Sequence, residues 1–412
     1  MSNVHNQSPL ASGDLDPGFG DGGRIYLSVE GYGETVKIQP DNKIVVGFRT
    51  GPGFGLARLQ PDGSPDMTFG IDGYVIGEFG QDNEITPVTD LHLLRDGRIL
   101  LVAEKTTSMR TYPALAMFHR DGSADTTFGQ NGQQIVQLKP DGQDELQTGF
   151  CRHSTVLAGD KILLTLTPQR VLNDRYEGLL IRLEPNGSLD TTFNSRGYVP
   201  VPYKDTGLTT LEGVAVQADG RYLVAGTTRI RTHTFSFMTR IHENGGIDAT
   251  FGELGYATVE IPGVNTYLGP IALTQDGKTV GAGHLGGAWY TGRGLLSVID
   301  TEGQPDAQFN NGMPALLSIP QMDVSWRDVI VQNQHLTLVG GGQTSEGITR
   351  YAIARYLPSG QLDSRFGQEG VIRGEPRVSI AAATLRQHDA NIITVGTTEG
   401  NGERVTVSCY SG

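Results

Sequence analysis

The chain has 412 residues, more than an average single domain and about right for one large closed array of repeats. Hydrophobic residues make up 37% and charged residues 19%, so the chain can fill a core and is not composed like a disordered protein. The net charge of −13 is spread along the chain, which argues against nucleic-acid phosphates and anionic membranes as partners.

The ends of the chain and its two cysteines carry little chemistry. Residues 1–12 are polar and lack the apolar segment of a secretory signal, so we expect a flexible tail followed by one domain over residues 13–412. No apolar run approaches the roughly 18 residues of a membrane span. Because a secretory signal is absent, we expect a cytoplasmic protein or one exported by a signal-independent route. Cys151 and Cys409 lie in strand-like runs without a metal or redox spacing, which favours two buried thiols over a disulfide.

One phrase recurs along the whole chain: Asp, two residues, Phe, and then Gly or Asn. Its seven copies begin at Asp16, Asp66, Asp125, Asp190, Asp248, Asp306 and Asp363. The phenylalanines are 50 to 65 residues apart, a period too long for most solenoid repeats and suited to a propeller blade with long loops. The 57 glycines, about twice the usual share, fit the many tight turns of such blades.

Each period has the pattern of four strands, as residues 211–261 illustrate. The expected strands are Gly213–Gln217, Arg221–Ala225, Phe235–Ile241 and Tyr256–Ile261, with a two-residue hairpin turn at Asp219-Gly220. Equivalent turns lie at Asp41-Asn42, Asp96-Gly97 and Asp276-Gly277. No stretch has helical periodicity, so the sequence predicts an all-β, seven-bladed propeller of four-stranded blades.

The two ends predict how the ring closes. The chain begins with a fourth strand, Arg24–Val29, and stops after a third strand, Arg404–Tyr410. The turn that joins these strands in other repeats is divided between Ser411-Gly412 and Ser12–Asp16. We therefore expect the N-terminal strand to complete the C-terminal blade, which removes the exposed sheet edges of an open array.

The repeat resembles one known family. Residues 219–226, Asp-Gly-Arg-Tyr-Leu-Val-Ala-Gly, and the Asp-x-x-Phe-Gly-x-x-Gly phrase are similar to the delta-60 repeat of bacterial proteins, from about Gly13 to the end of the chain. The resemblance implies β-propeller modules, often in surface or exported proteins. It carries no agreed activity, so no active-site residue is transferred. The chain departs from the pattern at Leu157–Asp160, in place of the usual turn, and at Asn194 and Asn310.

The Asp-x-x-Phe phrase has a structural and a functional interpretation. In the structural one, Asp caps a turn through its side chain and Phe fills the gap between neighbouring blades. In the functional one, residues such as Asp62, Asp66 and Asp72 supply oxygens to calcium. The structural interpretation is favoured, because a residue needed in all seven blades usually holds blades together and the spacing lacks the dense alternation of a calcium loop.

A second set of residues differs from blade to blade. Propeller ligands usually bind around the central channel, on the face where the innermost strands begin, an expectation that rests on analogy with other propellers. The alignment places at these strand starts Glu34, Asp90, Arg152 with His153, Glu212, Pro270, Arg327 with Asp328, and Ala383. This mixed ring is either a solvated rim closed by salt bridges or a site for a polar ligand.

The loop from Gly283 to Arg293 places aromatic residues beside polar ones. Its candidates are His284, Trp289, Tyr290 and Arg293, and Trp326 falls near the same mouth. Loop packing explains such residues, and so does the anchoring of a sugar or a protein. The remaining candidate ligand-binding residues are Glu34, Arg152, Arg327 and Asp328.

These features favour a non-catalytic, monomeric interaction module that binds a protein or a glycan through this loop face, with no nucleic acid and no membrane insertion. The alternative is a hydrolase or lyase at the channel mouth, with Asp90, Glu212 and His153 as acid–base candidates and Arg152 or Arg327 holding an anionic group. No phosphate loop, nucleophile elbow or dinucleotide fingerprint occurs. The nine histidines have no metal spacing, so we expect neither a cofactor nor a metal.

Overall fold

The computed structural model describes residues 11–80, 84–108, 110–138, 148–168, 177–204, 206, 208–286, 292–332, 334–386, 389–400 and 402–412. Within these residues, 28 strands form seven separate antiparallel sheets of four strands. The innermost strand of each sheet contacts the innermost strands of both neighbouring sheets, so the sheets form a ring. The predicted seven-bladed β-propeller is confirmed, while most of the expected N-terminal tail (residues 1–10) lies outside the described residues.

The strands follow each other in the order expected of a propeller. They are β1 (Arg24–Glu30), β2 (Tyr32–Ile38), β3 (Ile44–Thr50), β4 (Gly53–Leu59), β5 (Tyr74–Gly77), β6 (Val88–Leu93), β7 (Ile99–Thr106), β8 (Thr111–Phe118), β9 (Gln133–Ile135), β10 (Gly149–Val156), β11 (Ile162–Pro168), β12 (Gly178–Leu183), β13 (Tyr198–Val201), β14 (Thr209–Val216), β15 (Tyr222–Ile230), β16 (His233–Ile241), β17 (Tyr256–Val259), β18 (Thr266–Leu273), β19 (Thr279–Leu285), β20 (Gly294–Ile299), β21 (Ala315–Leu317), β22 (Ser325–Gln332), β23 (His335–Gln343), β24 (Thr349–Tyr356), β25 (Val371–Arg373), β26 (Val378–Leu385), β27 (Ile392–Thr398) and β28 (Arg404–Tyr410). Blade 1 contains β2 to β5, and blades 2 to 6 each contain the next four strands in turn. Blade 7 contains β26 to β28 together with β1. Two short 3-10 helices, Ala158–Asp160 and Asn310–Gly312, coincide with departures from the repeat pattern.

The hairpin between the first two strands of a blade forms as its residues predict. In blade 4, Gly220 has φ of +86°, which a residue without a Cβ adopts without strain. The Asp219 carboxylate accepts a hydrogen bond from the Arg221 backbone N–H, which closes the turn locally. This turn follows the last residue of the innermost strand, whereas the channel mouth lies at the first residues of that strand. The turn therefore faces away from the mouth.

The core consists of seven apolar clusters, each shared between neighbouring blades. One cluster, for example, combines Val36 and Val46 of blade 1 with Val395 and Val407 of blade 7. The seven phenylalanines of the repeated phrase, Phe19, Phe69, Phe128, Phe193, Phe251, Phe309 and Phe366, are all buried. Because apolar burial stabilises by about 25 cal/mol per Å², each of these rings contributes to holding two blades together.

The ring closes through β1, as predicted. This strand pairs with β28, so the seventh blade has the order β26, β27, β28, β1. The Arg24 guanidinium donates to the Tyr351 hydroxyl of blade 6, and that hydroxyl bonds to the hydroxyl of Tyr410. The N-terminal strand is thereby bonded to blade 6 as well as to its own blade 7.

Two further predictions concern the cysteines and the membrane. Cys151 and Cys409 are both free and buried, as expected, and burial raises the pKa of the Cys409 thiol to about 12. In the part of the chain that the structure describes, no helix is long and apolar enough to cross a membrane.

Candidate functional site

The repeated phrase builds an ionic clamp at the face away from the mouth. In blade 1, the Asp66 carboxylate accepts from Arg58 Nε at 2.6 Å and from Lys43 Nζ at 2.8 Å. It also accepts from the hydroxyl and the backbone N–H of Thr68. Although burial opposes ionisation, these hydrogen bonds hold the pKa of Asp66 far below its usual range.

Each clamp also reaches the next blade. Arg58 donates to the carbonyl of Arg120 and lies over the Phe69 ring, while the Gly70 N–H donates to the carbonyl of Asp121. The aspartates at the same position in the other blades are bonded as well, although Met117, Val298 and Cys409 stand where blades 1, 3, 4 and 6 have arginine. These contacts support the structural interpretation of the phrase. Among the described residues, no group of three or more His, Cys, Asp or Glu is placed to hold a metal ion.

The opposite face carries a bulge in every innermost strand. The bulges fall at Glu34, Thr89, Arg152 with His153, Glu212, Gly269 with Pro270, Arg327, and Ala381. A bulge interrupts the alternation of a strand and redirects the side chain that it carries. Seven bulges at the same height therefore place a ring of differing side chains around one mouth of the channel.

Three carboxylates of this mouth bond neighbouring blades to each other. Glu34 accepts from the Val88 backbone N–H, and Asp90 accepts from the backbone N–H and the hydroxyl of Ser154. Asp328 accepts from the backbone N–H of Ala383 at 3.1 Å. Each of these acids thus acts as a structural acceptor between two blades.

A deeper network surrounds Asp90. The His92 Nε2 atom lies 2.7 Å from the Ser154 hydroxyl and 3.7 Å from Asp90. Burial opposes the ionisation of Asp90, but the positive charges of His92, His153 and Lys37 and the Ser154 hydrogen bond lower its pKa to about 2. Burial lowers the pKa of His92 to about 4, so near neutral pH the charge of His92 is lost, and the Ser154 hydrogen bonds and the charge of Lys37 still stabilise the Asp90 carboxylate. A carboxylate with this pKa is poorly matched to general acid–base work at neutral pH.

The pKa values of other carboxyl groups at the mouth are shifted in the opposite direction, upwards. Burial raises the pKa of Glu34 and of Glu104 to about 7, and it also raises the pKa of Glu212. The positive charge of Arg152 acts on both Glu104 and Glu212 and partly offsets this effect. No hydrogen bond or ion pair joins Asp90 to Glu212 within the described residues.

Three aromatic rings lie two residues before the bulge in alternate blades. The Arg49 guanidinium lies 3.8 Å from the ring centroid of Tyr32, and the Arg152 guanidinium lies 4.8 Å from that of Phe150. The rings of Tyr267 and His284 are stacked at 4.9 Å with an angle of 11° between their planes. All three aromatic side chains are half-buried, so part of each remains accessible at the mouth.

Arg327 differs from Arg49 and Arg152, the arginines of the mouth that stack on aromatic rings. Its side chain is exposed, and within the described residues no hydrogen bond or ion pair to it is found. Nearby protein atoms nevertheless lower the pKa of its guanidinium by desolvation. A side chain that is both accessible to water and partly desolvated lies in a concave part of the surface.

The structure brings together many of the predicted site residues but not all. Glu34, Arg152, His153, Glu212, Pro270, Arg327 and Asp328 lie around the mouth, as do Asp90 and His284. Trp326 is instead only 2% exposed and packs in the core between blades 5 and 6, and Ala383 lies beyond the bulge of its strand. Arg293 is exposed beside the mouth, whereas Trp289 and Tyr290 lie outside the described residues.

Five mouth residues were not predicted from the sequence: Tyr32, Arg49, Glu104, Phe150 and Tyr267. Arg49 and Glu104 have a recognisable signal, because each ends the apolar run of a second strand, Ile44–Phe48 and Ile99–Ala103. Both lie opposite the start of the innermost strand, where Arg49 pairs with Tyr32. A charged residue that ends a buried strand next to the channel mouth therefore indicates a site residue.

The fold is similar to those of several solved lyases. An ulvan lyase of polysaccharide lyase family PL25 is 11% identical, with 94% of this chain and 95% of that chain covered at a TM-score of 0.56. The polysaccharide lyase Uly1 is 10% identical, with 100% and 94% covered at a TM-score of 0.52. Virginiamycin B lyase from Staphylococcus aureus, crystallised with quinupristin, is 11% identical, with 93% and 98% covered at a TM-score of 0.50. At this identity the likeness concerns the fold alone.

Sequence comparison identifies the repeat itself. No curated protein sequence matches the chain. The family model of a β-propeller domain of unknown function, DUF5122, matches residues 39–69, 169–193, 217–251 and 337–366. Each of these four segments ends on a phenylalanine of the repeated phrase: Phe69, Phe193, Phe251 and Phe366. The chain is therefore a β-propeller in which four repeats match this family model, in keeping with its resemblance to delta-60 repeat proteins.

Proposed function

We propose that the channel mouth is the ligand-binding site and that the protein is a non-catalytic module that binds a glycan. One observation carries this proposal: three half-buried aromatic rings lie around one mouth, each stacked against a guanidinium or an imidazole. An aromatic face offers apolar contact to the face of a sugar ring. The bulge side chains beside these rings offer hydrogen bonds to hydroxyl groups.

A glycan fits this mouth better than a protein surface does. The site is concave and polar, and its aromatic rings are spread over blades 1, 3 and 5 instead of forming one apolar patch. The most exposed large apolar side chains, Met67, Ile71, Leu254 and Met313, lie in outer loops away from the mouth. Protein interfaces usually centre on a cluster of buried aromatic and arginine anchors, and this mouth offers separated platforms.

Binding without turnover is favoured because the predicted catalytic carboxylate is already engaged. Asp90 accepts hydrogen bonds from Leu91 and Ser154, and its pKa of about 2 leaves it without a proton to donate near neutral pH. Glu34 is held by Val88 and lies 3.4 Å from Arg49. These groups stabilise the mouth and are poorly placed to exchange protons with a substrate.

A second candidate function, a glycan hydrolase or lyase, is favoured by one observation. Glu104 and Glu212 both lie close enough to Arg152 for its charge to lower their pKa values, while burial raises them. A carboxyl group with a pKa of about 7, such as that of Glu104, can serve as a general acid or base. If this function is correct, any glycan that binds will be cleaved, and Glu104→Gln or Glu212→Gln will abolish cleavage with little loss of binding.

The proposal is tested by glycan binding to the full chain. The wild type, Tyr267→Ala and Tyr32→Ala are applied to an array of neutral, uronate-containing and sulfated oligosaccharides. Tyr26→Ala is the matched control, because Tyr26 is a half-exposed tyrosine on the outer strand β1, away from the mouth. We expect the wild type and the control to retain the same glycans, and each mouth variant to bind them at least 10-fold more weakly. Retention of no glycan by the wild type, or equal binding by all four proteins, would contradict the proposal.

A further inference from the structure

The arginines of the mouth differ in whether the protein neutralises them. Arg49 forms an ion pair with Glu34 and stacks on Tyr32. Arg152 stacks on Phe150 and lies within electrostatic reach of Glu104 and Glu212. These two positive charges therefore have negative partners nearby.

Arg327 has no such partner. Within the described residues no carboxylate lies within 4 Å of its guanidinium, and desolvation is the sole cause of its lowered pKa. The charge of Arg327 acts on His284, whose pKa is lowered first by burial and then by this charge. The acid that follows Arg327 in the strand, Asp328, is bonded to the backbone N–H groups of Val329 and Ala383.

The position of Arg327 gives this charge access to a ligand. The residue occupies the bulge of β22, so its side chain leaves the regular alternation of the strand. The Ser325 hydroxyl, two residues earlier, lies 3.1 Å from His284 Nδ1, and the His284 ring is stacked on Tyr267. An imidazole, a hydroxyl and an aromatic face thus meet at the junction of blades 5 and 6, within electrostatic reach of the Arg327 guanidinium.

We infer that the glycan bound at this mouth is acidic and that Arg327 binds its carboxylate or sulfate group. This inference rests on the proposed glycan-binding function. A partly desolvated guanidinium is costly without a counter-charge, and a guanidinium matches the geometry of both oxyanions by donating two parallel hydrogen bonds. The charge of Arg327 acts on His284, and the His284 ring is stacked on Tyr267. The Tyr267 ring supplies the contact for the sugar that carries the anion.

The experiment measures dissociation constants for acidic glycans and their uncharged counterparts. An oligogalacturonate is compared with the same oligomer after reduction of its carboxyl groups to alcohols, and a sulfated oligosaccharide with its desulfated form. Each pair is titrated by calorimetry into the wild type, Arg327→Gln and Tyr267→Ala. Arg95→Gln is the control for loss of one positive charge, because Arg95 is exposed in the β6–β7 turn on the opposite face.

We expect at least one acidic form to bind the wild type about 10- to 100-fold more tightly than its uncharged counterpart. Arg327→Gln should remove this preference, whereas Arg95→Gln should keep it. Loss of the preference for carboxylate alone, or for sulfate alone, identifies which anion Arg327 binds. Equal binding of acidic forms by the wild type and Arg327→Gln would overturn the inference.

The test separates failure of the inference from failure of the proposed function. If uncharged glycans bind as tightly as acidic ones and Tyr267→Ala weakens both, the glycan site stands and the anion assignment is wrong. If no glycan binds the wild type, both are wrong. Because Arg327 is exposed and unbonded, its variant should fold, and an unchanged thermal unfolding midpoint verifies this.

Discussion

The two faces of this propeller use the same sevenfold repetition in opposite ways. At the clamp face, similar residues recur in each blade, with an aspartate bonded to a basic side chain above a buried phenylalanine. At the mouth, the same backbone feature recurs as seven bulges, but the side chains at the bulges are not repeated from blade to blade and include acidic, basic, hydroxyl and apolar ones. Both faces are periodic in structure, and only one of them is periodic in sequence.

This difference indicates which face stabilises and which face binds. A contact that joins one blade to the next is needed seven times, so the residues that make it are repeated. A single ligand on the channel axis meets each blade once, so each blade can supply a different group. Mouth residues that make no bond between blades, such as Arg327, are therefore expected to contribute little to stability, and the clamp residues to contribute little to binding.

The largest effect is expected from removing a clamp aspartate. Asp248→Ala leaves the guanidinium of Arg240, which is only 2% exposed, without its carboxylate partner at 2.8 Å. Breaking a buried ion pair in this way should lower the free energy of unfolding by about 3–5 kcal/mol, measured by urea denaturation.

Blade 2 provides the matched control for this clamp. Asp125 has Met117 where Asp248 of blade 4 has Arg240. Its basic partner, Arg98, also donates to Asp96 and Asp160, and these two bonds would remain in Asp125→Ala. Asp125→Ala should therefore cost only about 1–2 kcal/mol, because it leaves no orphaned charge. Equal losses for the two variants would show that the clamp arginines add nothing.

An intermediate effect, of opposite sign, is expected at the mouth. The folded state raises the pKa of Glu104 from 4.5 to about 7, mainly through burial, so folding retains a proton that the unfolded chain releases. The stabilisation that comes from the raised pKa of Glu104 is present below pH 4.5 and is lost as the pH rises through 7. Glu104→Gln should thus be about 2–3 kcal/mol more stable than the wild type at pH 8 and nearly equal to it at pH 4.

Urea denaturation at these two pH values measures the Glu104 effect. The control is Glu253→Gln, since the Glu253 side chain is 80% exposed and should show no such dependence on pH. A Glu104→Gln variant that tracks the wild type at both pH values would mean that this carboxyl group is hydrated at the mouth.

The smallest effect on stability is expected for Arg327. Its side chain is exposed and has no bond within the described residues, so Arg327→Gln should change the free energy of unfolding by no more than about 0.5 kcal/mol. The same measurement on Arg95→Gln gives the baseline for an exposed arginine. A larger loss of unfolding free energy for Arg327→Gln would show that Arg327 stabilises the fold.

The fold was predictable because the repeat is encoded locally. The hairpin turns, the Asp-x-x-Phe phrase and the divided turn at Ser411 and Ser12 specify blades, their number and their closure without knowledge of distant contacts. The mouth was predicted in part, because the turn after each innermost strand fixes the register at Glu34, Arg152, Glu212 and Arg327.

The remaining site residues depend on a register that the sequence does not reveal. Side chains alternate along a strand, so a shift of one residue moves a side chain from the channel to the interface between blades. Trp326 precedes the bulge at Arg327 by one residue and is buried in the core, and Asp90 follows the bulge at Thr89 and bonds to the next blade. Tyr267 and His284 meet only through pairing between β18 and β19.

The most direct test of the division between the two faces measures binding and stability on the same two variants. For the best acidic glycan of the array, the dissociation constant and the urea unfolding midpoint are determined for wild type, Arg327→Gln and Asp125→Ala. We expect Arg327→Gln to lose binding by about 10- to 100-fold with an unchanged midpoint, and Asp125→Ala to lose stability with unchanged binding. Unchanged binding by Arg327→Gln, or weakened binding by a folded Asp125→Ala, would contradict this division.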